Sequence, residues 1–285
     1  MSKIYFENGE NYHIKNEAEV SVIKYNGSNK IKIKNCSNRS NNLDKLKKIS
    51  ADEYVNTETG EICEYTKYDY KTKSSLCRSM NSVRELFLNN FNGGENERLV
   101  TLTYEEKEEN FDKTVAHLND FWKNLKKEFP DLEHISVIEK QEERNSWHIH
   151  MLIKDTKHKK LCISAEEIKR IWNKGIIHIT KITNRNVKKL SNATTKVEDE
   201  NSAIIKLSNY LSKTKSKEQI PANKKTYYKS RGIKFPNVAK MKYSEVQKIL
   251  DDNNYCLLFE RTLLIRSSNT DSILKKIKEE MYTTD

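Results

Sequence analysis

The chain has 285 residues, 35% hydrophobic and 33% charged, and its 52 Lys and Arg against 41 Asp and Glu give a formal charge of +11. That surplus points to a polyanionic partner, since clustered cations neutralise phosphates and release counterions, while the lack of any run of 18 apolar residues excludes a membrane-spanning helix. The opening MSKIYFENGENYHIKNEAEV has no apolar signal-peptide core, and Cys36, Cys63, Cys77, Cys162 and Cys256 form no C-x-x-C pair, so free thiols in a reducing bacterial cytoplasm are expected rather than disulfides or a zinc knuckle.

Residues 1–75 are polar, with short alternating pieces (EVSVIKY, KIKIK) and a turn at NTETGE. They read as a loosely built N-terminal region carrying a hairpin. SLCRSMNSVRELFLNNF then places Leu76, Met80, Val83, Leu86 and Phe87 at helical spacing, ahead of Gly93-Gly94. RLVTLTY reads as a strand. DKTVAHLNDFWKNLKKEF puts Val115, Leu118, Trp122, Leu125 and Phe129 on one helical stripe that ends at Pro130. HISVIEK and SWHIHMLIK are two further strands joined by a hairpin-length loop. SAEEIKRIWNKG opens with a capping box, Ser164 and Glu167, and closes at Gly175. IIHIT is a fourth strand, and a helix is expected from Ser202 to Lys215. The order predicts an α+β fold with a ferredoxin-like, split βαβ sheet. After residue 236, MKYSEVQKILDD looks helical, YCLLFERTLLIR strand-like and DSILKKIKEEMY helical again.

Side chains alternate along a strand, so Trp147, Ile149, Met151 and Ile153 make one apolar face while His148 and His150 project together from the other. That geometry suits one metal ion, although an H-x-H pair is equally at home as two solvated or hydrogen-bonded histidines. Glu139, nine positions earlier, can lie beside them across the hairpin with Ile138 turned into the core. Glu142 and Glu143 are competitors for the same place. Two His and one carboxylate leave open positions on a divalent ion, as a metal that acts on a substrate requires. His117, His134, His158 and His178 have no partner at fixed spacing and read as structural.

On the helix SAIIKLSNYLSKTKSK, residues Ile204, Leu207, Ser208 and Leu211 share one face, and Lys206, Tyr210 and Lys213 fall on the other. A phenol attacks poorly at neutral pH unless a cation stabilises its oxyanion, and Lys213 at i+3 is placed to do so. Tyr227 and Tyr228 are rivals without that spacing. Downstream, cations interleave with Tyr227, Tyr228 and Phe235, a composition suited to a groove that tracks a single strand and stacks its bases. Lys206, Lys215, Lys217, Lys225, Lys229 and Arg231 are the expected DNA contacts.

VTLTY, WHIHMLI and YLSK, in that order, resemble the three motifs of single-tyrosine rolling-circle replication initiators of the HUH endonuclease superfamily. The likeness extends over roughly residues 74–236, so residues 1–75 and 237–285 stand as an N-terminal region and a C-terminal extension around an endonuclease core at 76–236. The resemblance implies that His148 and His150 hold Mg²⁺ or Mn²⁺, with Glu139 as third ligand. It makes Tyr210 the nucleophile that forms a 5′-phosphotyrosyl link to origin DNA, and Lys213 its motif partner. No P-loop is present, so a host helicase and polymerase are the implied partners. The motif order disfavours a conjugative relaxase. A single-tyrosine transposase, a non-catalytic DNA-binding regulator and a small-molecule metallohydrolase are the alternatives, and the sequence does not fix an oligomeric state.

Overall fold

The computed structural model describes residues 4–10, 12–27, 29–37, 46–50, 52–57, 59–65, 67–183, 186, 201–267 and 273–284. Residues 1–67 supply β1 (Ile4–Gly9), β2 (Glu19–Tyr25), β3 (Lys30–Ser37), β4 (Leu46–Lys48), β5 (Glu53–Asn56) and β6 (Ile62–Glu64). Residues 68–236 supply α1 (Lys73–Asn90), β7 (Glu97–Tyr104), α2 (Phe111–Glu128), β8 (Leu132–Gln141), β9 (Ser146–Asp155), α3 (Ala165–Trp172), β10 (Gly175–Lys181), α4 (Asn201–Leu211) and β11 (Tyr227–Lys229). Last come β12 (Asn237–Lys242), α5 (Tyr243–Asp252), β13 (Cys256–Ser267) and β14 (Ile273–Thr283). Two compact units result: Met1–Tyr25, Asn29–Lys67 and Asn237–Asp285 form one, Asn26–Ser28 and Tyr68–Pro236 the other.

The second unit is built on a five-stranded antiparallel sheet in the order β10-β7-β9-β8-β11. Its first four strands, joined through α2 and α3, follow the βαββαβ path of a ferredoxin-like fold, as expected. One sheet face buries Val100, Leu102, Ile138, Trp147, Ile149, Met151 and Ile153 against Leu118, Phe121 and Leu125 of α2 and Ile168 and Trp172 of α3. Asn110 caps α2 by accepting from Lys113 N, and Ser164 with Glu167 closes the capping box of α3. α3 stops at Asn173, in the left-handed region, and Gly175 opens β10 at a φ of +152°. Leu99, Ile135, Val137 and Leu152 are buried on the opposite sheet face. There α1 and α4 pack together, with Arg84 of α1 donating to Ser212 Oγ at 2.8 Å.

In the first unit, β1-β13-β14-β3-β2-β12 form one antiparallel sheet, and Tyr243, Val246 and Leu250 of α5 pack on Val20, Ile31 and Ile33. The hairpin expected near the N-terminus is β2–β3, and its strands belong to a larger sheet than the sequence suggests, since β1 and β3 pair with strands beyond residue 255 and β2 with β12. The helix expected over DSILKKIKEEMY is the strand β14. Lys and Glu at that density favour a helix locally, yet propensity is a weak prior, and here β13 and β3 hydrogen-bond the segment from both sides. Its buried charges are matched: Glu279 takes two hydrogen bonds from Arg261, and Lys278 Nζ pairs with Glu260 at 2.7 Å. No helix among the described residues is long and apolar enough to cross a membrane.

Candidate metal and nucleophile centre

The β8–β9 hairpin sets Glu139 directly opposite His148 and Val137 opposite His150, while β7 sets Thr101 beside His150. Because Ile138, Trp147, Ile149 and Met151 are locked into the core, the alternating positions are forced onto the other face. Glu139, His148 and His150 are thus brought together, each offering a ligand atom within 4.8 Å of the others. The two imidazole Nε2 atoms stand 2.9 Å apart, and Glu139 Oε2 lies 3.5 Å from His150 Nε2 and 3.9 Å from His148 Nε2. Donors about 2.1 Å from one ion stand roughly 3–4 Å apart, so the set fits a single divalent cation. His150 Nδ1 shares a hydrogen bond with Thr101 Oγ1 at 3.0 Å, which orients the ring and leaves Nε2 for an ion. His148 Nδ1 is buried with no partner among the described residues. Glu142 lies outside the cluster, exposed and paired with Lys215 at 3.3 Å.

Burial holds His148 neutral, pushed down to about 4, with His150 adding to the effect and Glu139 opposing it. At Glu139 burial works to raise the carboxyl, but His150 and Lys217 outweigh it and hold it at about 2. A neutral imidazole and an ionised carboxylate are the forms a metal requires.

The helix carrying Tyr210 ends at Leu211, four residues earlier than expected, and Lys215–Lys217 follow as a 3₁₀ turn. Ile204, Leu207, Ser208 and Leu211 are buried, so the opposite side carries Tyr210 toward the histidines: its ring centroid is 6.1 Å from that of His150. Lys213 lies beyond the helix, with Nζ 4.9 Å from the centre of the Tyr210 ring. Burial, helped by the Glu139 charge, raises the Tyr210 phenol above its usual value, so it is protonated at neutral pH.

Lys217 is not the open-surface DNA contact expected. Its side chain is fully buried, and Nζ donates to Glu139 Oε1 and, at 2.8 Å, to Lys213 O. Helical spacing from Tyr210 gives no signal for it, because the helix stops at Leu211 and Lys217 sits on the 3₁₀ turn that follows. Of the other expected contacts, Lys206 is half-buried on α4, Lys215 is exposed, and Lys225, Lys229 and Arg231 are exposed at and beside β11. Three remaining histidines have local partners: His117 with Tyr104 OH, His134 with Ser136 and His158 with Asp155.

Residues 97–215 match the family model of the replication-associated protein ORF2. The match runs from β7 past α4 and includes Glu139, His148, His150, Tyr210 and Lys213; it is consistent with a replication initiator of the Rep type. No curated protein and no solved structure matches the chain.

Proposed function

We propose that the chain initiates replication by nicking one strand of origin DNA through Tyr210 and resealing strands at the same centre. The observation that carries this reading is the approach of the Tyr210 ring to His150, on the sheet face where Glu139 and His148 complete a three-ligand cluster. A divalent ion, Mg²⁺ or Mn²⁺, held there by Glu139, His148 and His150 would draw charge from the oxygens of the scissile phosphate. Tyr210 supplies the nucleophile: its phenolic oxygen bonds to phosphorus as the bond to the 3′ oxygen breaks. The phenol gives up its proton to water, and the departing 3′ oxygen takes one. Lys213, above the ring, offsets negative charge as it builds on the phenolic oxygen. The product is a 5′-phosphotyrosyl link and a free 3′ hydroxyl that a host polymerase can extend. Since one phosphodiester is exchanged for another, the reverse attack rejoins the strand.

The test is incubation with single-stranded oligonucleotides carrying the origin and Mn²⁺, followed by denaturing electrophoresis. Wild type forms a covalent adduct; Tyr210→Phe and chelation each abolish it. An adduct that survives Tyr210→Phe overturns the assignment of the nucleophile. A wild type that binds the origin without ever forming an adduct is a regulator instead.

A further inference from the structure

We infer that the edge of the sheet carries a nucleotide-binding pocket, separate from the Glu139–His148–His150 cluster, which takes one base with its phosphate from the strand being processed. The nicking function proposed above supplies only the identity of that strand. The pocket is a cavity of about 750 Å³ at β11, between the start of α1 and the middle of α2, a volume in the range that holds a small ligand.

Its lining divides by chemistry. Lys71, Lys224, Lys225, Lys229 and Arg231 supply five cations, and no acidic side chain is among the lining residues. Three of these cations are committed within the protein: Lys71 Nζ to Ala222 O, Lys224 Nζ to Asp112 and Lys229 Nζ to Ile233 O. Lys225 and Arg231 are exposed and make no ion pair or hydrogen bond among the described residues, so they are free to take a phosphate. The α2 side of the lining is aromatic and carries no charge of its own, with Lys126 Nζ, outside the lining, 5.8 Å from the centre of the Trp122 ring. The rings of Trp122 and His134 have centroids 4.0 Å apart. His134 is 3% exposed, its Nδ1 is engaged by Ser136 Oγ at 2.8 Å, and its Nε2 has no partner among the described residues. Burial keeps that imidazole neutral, pushed down to about 3, so its free nitrogen offers a single polar contact without a charge. An anion alone has no use for such a wall, and an apolar ligand has no use for the cations. A nucleotide uses both, its base on the rings with one edge at His134 Nε2 and its phosphate on Lys225 and Arg231.

The position suits a strand that also crosses the nicking centre. Tyr227 lines the cavity and pairs with Val137, two residues along β8 from Glu139 and on the same sheet face, whereas His134 and Tyr228 lie on the face that packs against α2, so the strand would pass round the β11 edge to bring its base to the rings. At about 3.4 Å per residue and about 4.8 Å between strands, Tyr227 lies about 8 Å from Glu139, within reach of neighbouring nucleotides of one strand.

The experiment titrates the full-length chain in EDTA, so that no strand is cut, with each of the four deoxynucleoside 5′-monophosphates, a short single-stranded oligonucleotide and inorganic phosphate. Tryptophan fluorescence is the readout. Trp147 and Trp172 are buried, so quenching at the pocket reports Trp122 and disappears in Trp122→Phe. Saturable quenching by mononucleotides, unequal among the bases and weakened about tenfold or more in the Lys225→Glu/Arg231→Glu double variant, is the expected result. The pocket is overturned if oligonucleotide binds without quenching, if the double variant binds as tightly as wild type, or if inorganic phosphate competes as well as a nucleotide. A chain that shows the quench but forms no adduct overturns the nicking reading and leaves the pocket standing; an adduct without the quench does the reverse.

Discussion

At Glu139, one carboxylate faces a lysine through one oxygen and two imidazoles through the other. The buried Lys217 ammonium sits on Oε1, while Oε2 faces the two imidazoles where a metal would bind. A buried carboxylate left without a counter-charge costs about 3–5 kcal/mol, so Lys217 supports the metal-free protein. In Lys217→Met that cost falls on the fold until a divalent ion takes over the neutralising role. The variant is therefore expected to melt well below wild type in EDTA, and Mn²⁺ is expected to raise its Tm by more than it raises that of wild type. Equal Mn²⁺-induced shifts in the two proteins would show that Lys217 does not carry Glu139's charge. At this scale the histidines, Glu139 and Tyr210 were legible because strand alternation and helix faces are short-range rules. Lys217 was misplaced because its burial depends on a turn after α4 that folds back over β8, and nothing in KTKSKEQ distinguishes a buried lysine from a solvated one.

Elements hold this centre in place through their ends as much as their faces. The chain leaves α3 through Asn173 in the left-handed region and enters β10 at Gly175, where φ is +152°. A Cβ on Gly175 would stand 2.3 Å from Glu105 N and 2.4 Å from Thr103 O, both backbone atoms of β7 or its exit that cannot swing aside. Gly175→Ala must either separate β10 from β7 or distort the turn. A loss of about 2–4 kcal/mol is expected, read as a fall in Tm of about 5–15 °C, whereas an unchanged Tm would mean that the turn has slack. The sequence marked this glycine as a helix stop, but its closer constraint is the approach to β7, which only the sheet order reveals. The same limit explains β14. Ile273, Ile277 and Met281 recur every four residues and satisfy a helical pattern, and Lys and Glu between them are good helix formers. What decides the matter is a pair of neighbouring strands, one of them more than 200 residues away in the chain. Local rules thus placed β7 to β10 and their helices, and also α5 and β13 beyond residue 236, but they missed β11, overran the end of α4 and failed at β14, where distant parts of the chain pair.

The protein as a whole unfolds from two compact units, but all three tryptophans, Trp122, Trp147 and Trp172, lie in Tyr68–Pro236, so their fluorescence follows the unit with the candidate site. Two buried imidazoles tie the stability of that unit to pH. His134 is pushed down to about 3 by burial and by Lys126, and His148 to about 4 by burial and by His150, against a usual value of 6.5. As pH falls below 6.5 the unfolded chain takes up two protons that the folded unit refuses, so stability drops, for His148 down to pH 4 and for His134 down to pH 3. Each contributes a loss of about 2 kcal/mol by pH 5. Glu139 acts later: held at about 2, its contribution is complete above its usual 4.5 and is lost only as pH falls from there toward 2. Between pH 7 and pH 5 these two imidazoles are expected to take about 4 kcal/mol from the metal-free chain, read as a falling urea midpoint by tryptophan fluorescence, and His117, also held below its usual value by burial, acts in the same direction. A midpoint that stays level from pH 7 to pH 5 would mean that both rings meet solvent. In that event the His134 wall of the edge cavity and the neutral His148 donor would fail together, since each depends on an imidazole kept uncharged by burial.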